Sequence, residues 1–212
     1  VLFTDELFFT APAAEIANGA MSPEWFGAPA SPQIYIIGFT WRVQNFFINQ
    51  AHGTHVPMTK NLETFLPDFY VVARIWSVVM GMIGVWLLYL LGRRMSERVG
   101  VWAAALGSLN WYLIEQSHII RPDIWQTTFL LALLWGMLKL LDEPKRARWY
   151  IVSAMFLGLA LTEKYTSALV LAGLPLLLWV LLRRKALQWK FLWLATGVTM
   201  ATVFLSAPFI FL

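Results

Sequence analysis

The sequence has no cysteine. Disulfides, thiolate metal sites and a cysteine nucleophile are therefore excluded. Charge is also scarce: Asp, Glu, Lys and Arg make up 13% of the residues, against about 25% in an ordinary soluble domain. Hydrophobic residues reach 59%, where about 45–50% is usual. A soluble domain, a disordered chain and a nucleic-acid-binding module all fit this balance badly. No internal repeat or low-complexity segment is visible. No basic region or small-residue cleavage site opens the chain, so Val1, Leu2 and Phe3 are not a signal peptide. The chain starts at Val1 and stops at Leu212 within an apolar run. It reads as a piece of a longer protein, lacking a helix before Val1 and further sequence after Leu212, and inactive by itself.

What is abundant is apolar length. A spanning helix needs about 20 mostly apolar residues, within a range of about 17–25. Residues 71–91, 99–120, 124–141, 166–182 and 191–212 meet that test, and 149–161 is a shorter sixth segment. Pro175 and Pro208 are expected kinks. Lys139 is placed to snorkel from the end of its helix. The expected fold is thus all-α: a polytopic transmembrane bundle of about six spanning helices in residues 71–212. Residues 1–70 are interrupted by six prolines and read as an extracytoplasmic loop carrying short interfacial helices, with 33–49 lying on the outer leaflet. The 12 Trp and 15 Phe suit lipid-facing and interfacial surfaces.

The net charge of +4 is a topology signal. Arg93, Arg94 and Arg98 fall in one connection. Lys145, Arg146 and Arg148 fall in a second, and Arg183, Arg184, Lys185 and Lys190 in a third. These alternate connections lie on one side, read as cytoplasmic, and hold 10 of the 16 basic residues. The other side carries nine of the twelve acids, namely Asp5, Glu6, Glu15, Glu24, Glu63, Asp68, Glu115, Asp123 and Glu163.

Candidate chemistry gathers on that acidic side. Asp5 and Glu6 are adjacent carboxylates, suited to a general base or a cation ligand, or simply to a solvated helix end. Glu115 and His118 share a helix face by their spacing of three. Ionisable groups at membrane depth are usually partnered and functional. Pro122 stops that helix, and Asp123 is placed to N-cap the next one. Lys164 is a point charge for a phosphate, or a partner for an acid. His52 and His55 have metal-pair spacing but no third ligand beside them. Acids, a histidine, an arginine and a lysine on one face imply a charged, phosphate-bearing substrate.

The order of these features resembles the membrane glycosyltransferases of the GT-C superfamily. The closest branch is that of the protein O-mannosyltransferases and the bacterial aminoarabinose transferases of lipid A. The matching residues run in order along the chain. Asp5 and Glu6 come first, then Gly19, then Pro23, Glu24, Trp25 and Phe26. Ser31, Pro32, Gln33, Ile34 and Tyr35 follow. Ala73 and Arg74 open a helix that exits through Gly92, Arg93 and Arg94. Ser117 and His118 precede Asp123, and Gly158, Leu159 and Ala160 lead to Thr162, Glu163, Lys164 and Tyr165. Three features depart from the pattern: a reduced Ser31–Pro32 pair, an extra Glu163 ahead of Lys164, and a long loop over 52–67.

The resemblance implies inverting transfer of a sugar from a polyprenyl-phosphate donor to a lipid, glycan or protein hydroxyl. It places that reaction on the extracytoplasmic side of a prokaryotic plasma (inner) membrane. Asp5 would be the general base, and Glu6 would orient Arg74 or a substrate hydroxyl. Arg74, Arg121 and Lys164 would meet the phosphate, with His118, Asp123 and Tyr35 beside the substrate. Some relatives use a divalent metal, and His118 with Asp123 is the pair that would hold one. The alternative is a transporter or flippase of lipid-linked saccharides. The ion-free mid-depth of residues 78–90, 130–138 and 169–182 disfavours it, because transporters place ions and broken helices there. A membrane scaffold would need none of these outer charges.

Overall fold

The computed structural model describes residues 6–20, 22, 31–53, 55–173, 180–183 and 187–207. Among them every regular element is helical, and the fold is an all-α helical membrane protein. Three early helices are α1 (Leu7–Ala17), α2 (Ser31–His52) and α3 (Met58–Thr64). They are followed by α4 (Leu66–Arg93), α5 (Glu97–Ser108), α6 (Trp111–Ser117), α7 (Pro122–Asp142) and α8 (Ala147–Glu163). A 3₁₀ segment covers Tyr165–Gly173, and α9 (Trp189–Ser206) closes the described chain.

Among the described residues three helices, α4, α7 and α9, are long and apolar enough to cross a membrane. At 28 residues and about 1.5 Å per residue, α4 outreaches a hydrocarbon core of about 30 Å. Its first turn holds Pro67, where a missing amide costs nothing.

The expected single helix over residues 99–120 is instead two short ones. Leu109 ends α5, and Asn110 turns extended so that its side chain accepts the Leu113 amide at 3.1 Å. An asparagine that competes for backbone donors favours starting a helix over continuing one. The expected helix over 166–182 begins as 3₁₀ turns, and Pro175 lies outside the described residues, as does Pro208.

Helices α4 and α7 run parallel. Thr128 of α7 donates to the Met80 carbonyl of α4 at 2.9 Å near mid-length, and Arg94 meets Asp142 where both helices end. Helix α8 returns antiparallel to α7, and α9 runs parallel to α8, with Ala154 meeting Thr199 and Thr162 meeting Ser206. The close approach of α8 and α9 depends on Gly158, where a Cβ would lie 2.8 Å from that of Thr202. Gly158→Val should therefore separate the pair and remove about 1–3 kcal/mol of stability. A lowered melting temperature in detergent checks this.

Residues before α4 pack as a layer over its first turns. Phe9, Ala13, Ile34, Ile37, Trp41, Phe69, Tyr70 and Ala73 form one core with Ile120. Trp41 donates its indole N–H to the Phe69 carbonyl at 2.8 Å, and Asn61 bridges α3 to Asn45 and Asn49 of α2. Helix α2 covers the interfacial segment expected at 33–49 and leaves Phe39, Phe46 and Phe47 exposed. Trp86, Trp102 and Trp193 are likewise exposed, as suits surfaces turned to lipid.

Candidate active site

Glu6, at the entry to α1, is completely buried. An unpaired carboxylate there would be prohibitive, and Arg74, just over two turns into α4, supplies the charge. Arg74 Nε donates to Oε1 at 3.0 Å and Nη2 to Oε2 at 2.6 Å. The planar guanidinium fork matches both carboxylate oxygens at once. Oε1 also accepts the Ile120 amide at 3.0 Å. One side chain thus ties α1, α4 and the connection into α7 together. Thr10 and Tyr70 bond at 2.9 Å one turn away and reinforce the α1–α4 contact.

The start of α7 is built on Pro122, whose missing amide is harmless in the first turn. Arg121 is extended and occupies the cap position without a side-chain cap bond. Asp123 therefore does not N-cap α7 as expected; it lies two residues past the cap position, inside the first turn. There its charge still complements the helix N-terminus. Its Oδ1 accepts Lys164 Nζ at 2.8 Å. Lys164 follows α8 in extended conformation, which directs it to α7. The two side chains keep 35% and 24% of their surface, so the ion pair is within reach of a ligand. Gln126, one turn along α7, donates to Thr166 and Ser167 at 2.9 Å each, which fixes the chain just after Lys164.

Gln33 and Glu163 complete the assembly, and both are fully buried. The Gln33 amide donates to Glu163 Oε2 at 3.4 Å, and Gln33 Nε2 donates to the Arg121 carbonyl at 3.2 Å. Glu163 stands two residues past the apolar stretch that ends at Leu161. Burial raises its carboxyl well above the usual range, against the smaller opposing effect of the Gln33 amide.

All these groups sit at the end of α7 and α8 opposite the basic connections. At that other end Arg94 forks onto Asp142 at 2.7 and 2.8 Å, and Arg146 and Arg148 reach Glu143. The Trp149 indole N–H, with the two arginines, holds the Glu143 carboxyl below the usual range. A groove of about 550 Å³ runs between α4 and the α5–α6 pair. It is lined by Val78, Met82, Val85 and Trp86, with Ser117 and His118 at the end nearer Arg121.

The family model for dolichyl-phosphate-mannose-protein mannosyltransferases matches residues 68–210, two thirds of the chain. The chain belongs to this family. No curated protein and no solved structure matches it.

Membership makes this mannosyltransferase-family chain a glycosyltransferase of the membrane. The matched span takes in Arg74, His118, Arg121, Asp123, Glu163 and Lys164, whereas Asp5, Glu6, Gln33 and Tyr35 precede it. Asp5 lies outside the described residues, as do Pro23, Glu24, Trp25 and Phe26. Tyr35 is partly buried against the α1–α2–α4 core. His118 is exposed and bonds the Ile114 carbonyl through Nδ1 at 2.7 Å, while Glu115 is exposed beside it. Among the described residues no three of His, Asp and Glu gather as a metal site would require. In the sequence Gln33 belongs to the Ser31–Tyr35 motif and opens the interfacial segment, with no role of its own assigned. Its polar side chain at the start of a buried face was the one hint of a role.

Proposed function

We propose that the chain transfers a sugar from a polyprenyl-phosphate donor to an acceptor hydroxyl on the extracytoplasmic side, with inversion at the sugar. One observation carries this reading. In a glycosyltransferase-family chain, Arg74, Arg121 and Lys164 gather with Glu6, Asp123 and Glu163 at the bundle end opposite the basic connections. The leaving group is a lipid phosphate whose negative charge grows as the sugar–oxygen bond breaks. Lys164 and Arg121 would receive it, since positioned charges stabilise a transition state most where water is scarce. A lipid chain in the α4–α5–α6 groove would present its phosphate at the His118 end, three residues from Arg121.

Asp5 is the general base. It takes the acceptor proton as the hydroxyl oxygen attacks C1 from the face opposite the phosphate. Glu6 is not that base, because both its oxygens are committed to Arg74 and the Ile120 amide. The acceptor is a lipid, glycan or protein hydroxyl of a prokaryotic envelope, the membrane is the inner one, and residues 1–70 stand outside it. A metal, where one takes part, would be met by Asp123 and His118.

The test is direct. The full chain in proteoliposomes is given polyprenyl phosphate carrying labelled mannose or labelled aminoarabinose, with an envelope extract as acceptor. Label should move to the acceptor from one donor. Exchange of the donor across the bilayer with no glycosylated product would overturn the reading in favour of transport.

A further inference from the structure

Glu163 is a buried acid that the transfer chemistry does not use. It has no ion-pair partner among the described residues, and its Oε1 has no hydrogen-bond partner. Gln33 is equally buried, and its own Oε1 is also unpartnered. Buried acceptors without donors are costly, so two at one junction call for a reason. The bonds that these residues do make supply one. Gln33 grips the backbone of Arg121 from one side and the side chain of Glu163 from the other. Glu163 is joined covalently to Lys164, whose amide closes the end of α8 on Ala160 at 3.2 Å.

We propose that Gln33 and Glu163 are positioning residues. They form a bracket, seated on the first turn of α2, that fixes the separation of Arg121 and Lys164 and thereby shapes the phosphate site. The proposal rests on the reading that these two cations receive the donor phosphate. The bracket works from behind. It holds the Arg121 carbonyl and the end of α8 while Asp123 holds the Lys164 ammonium from the front at 2.8 Å. Misplacing reacting groups by about 1 Å costs about a hundredfold in rate. A buried acid without an ion-pair partner favours its neutral form. Its O–H then supplies a donor where an ionised carboxylate would supply only acceptors. Glutamine reproduces that neutral shape and still accepts the Gln33 amide, whereas leucine does neither.

The experiment compares Glu163→Gln, Glu163→Leu, Gln33→Leu, Lys164→Met and Arg121→Met in the full chain. Each is scored for kcat/KM toward polyprenyl-phosphate mannose or aminoarabinose, whichever the wild type uses, and for melting temperature in detergent. Glu163→Gln should stay within about threefold of wild type. Glu163→Leu and Gln33→Leu should lose tenfold or more in kcat/KM without a matching loss of melting temperature, as should both cation variants. Should Glu163→Leu fail to fold, Gln33→Leu decides the matter on the same criterion. Wild-type transfer by the leucine variants while the cation variants fail would overturn the bracket and leave the phosphate reading intact. So would equal loss in Glu163→Gln and Glu163→Leu, or transfer lost only in step with melting temperature. Unchanged transfer in Lys164→Met and Arg121→Met would remove the phosphate reading and the bracket with it.

Discussion

Arg74→Met should destabilise the chain by about 3–5 kcal/mol, the range for removing one partner of a buried ion pair. The methionine fills much of the arginine's volume, so little of the loss comes from a cavity. The loss comes from Glu6, which remains fully buried without the two-pronged guanidinium that bonded it at 2.6 and 3.0 Å. For a chain of this size that corresponds to a fall in melting temperature of roughly 10 °C or more. Glu6→Gln combined with Arg74→Met should recover a large part of it, because no charge is then buried. A melting series in detergent on the two single variants and the double variant checks the sign and the coupling. Equal melting temperatures for wild type and Arg74→Met would show that the pair holds nothing together. The consequence for chemistry follows from chain order: Glu6 is the residue next to Asp5, and it is pinned to α4 and to the connection that carries Arg121.

Much of this arrangement could be read in the sequence, and the parts that could not have a common cause. Long apolar runs at 71–91 and 124–141 are local patterns, and they became α4 and α7. The Arg93–Arg94 and Lys145–Arg148 connections are local too, and they lie together at one end of the bundle. The split at Asn110 was also local, but the mostly apolar run over 99–120 masks a single capping residue.

What escaped was set by contacts across the chain. The Ile120 amide meets Glu6 across 114 positions, and Gln33 meets Glu163 across 130. No periodicity or spacing foretells such a meeting. Asp123 is the instructive case. A carboxylate next to a proline at a helix start reads as a cap, yet the proline itself takes the first helical position, and the acid is left to bind Lys164 from a helix 41 positions away. The family pattern marked Glu163 as an extra residue, and its complete burial is visible only in the fold.

In the proposed mechanism the reaction turns on Asp5, the carboxylate assigned to take the acceptor proton. A positioned general base contributes about 10²–10⁴ in rate. Asn has nearly the size of Asp and no proton affinity, so the substitution removes the base and little else. Arg121 and Lys164, not Asp5, are proposed to meet the donor phosphate, so donor affinity should persist. The decisive measurement is transfer of labelled sugar from polyprenyl phosphate by the Asp5→Asn variant of the full chain, reconstituted in proteoliposomes beside wild type. Transfer should fall by about 10²–10⁴ in kcat, with membrane insertion, melting temperature and donor KM unchanged. Wild-type transfer by Asp5→Asn would contradict the assignment of the base and, with it, the mechanism proposed for this end of the bundle.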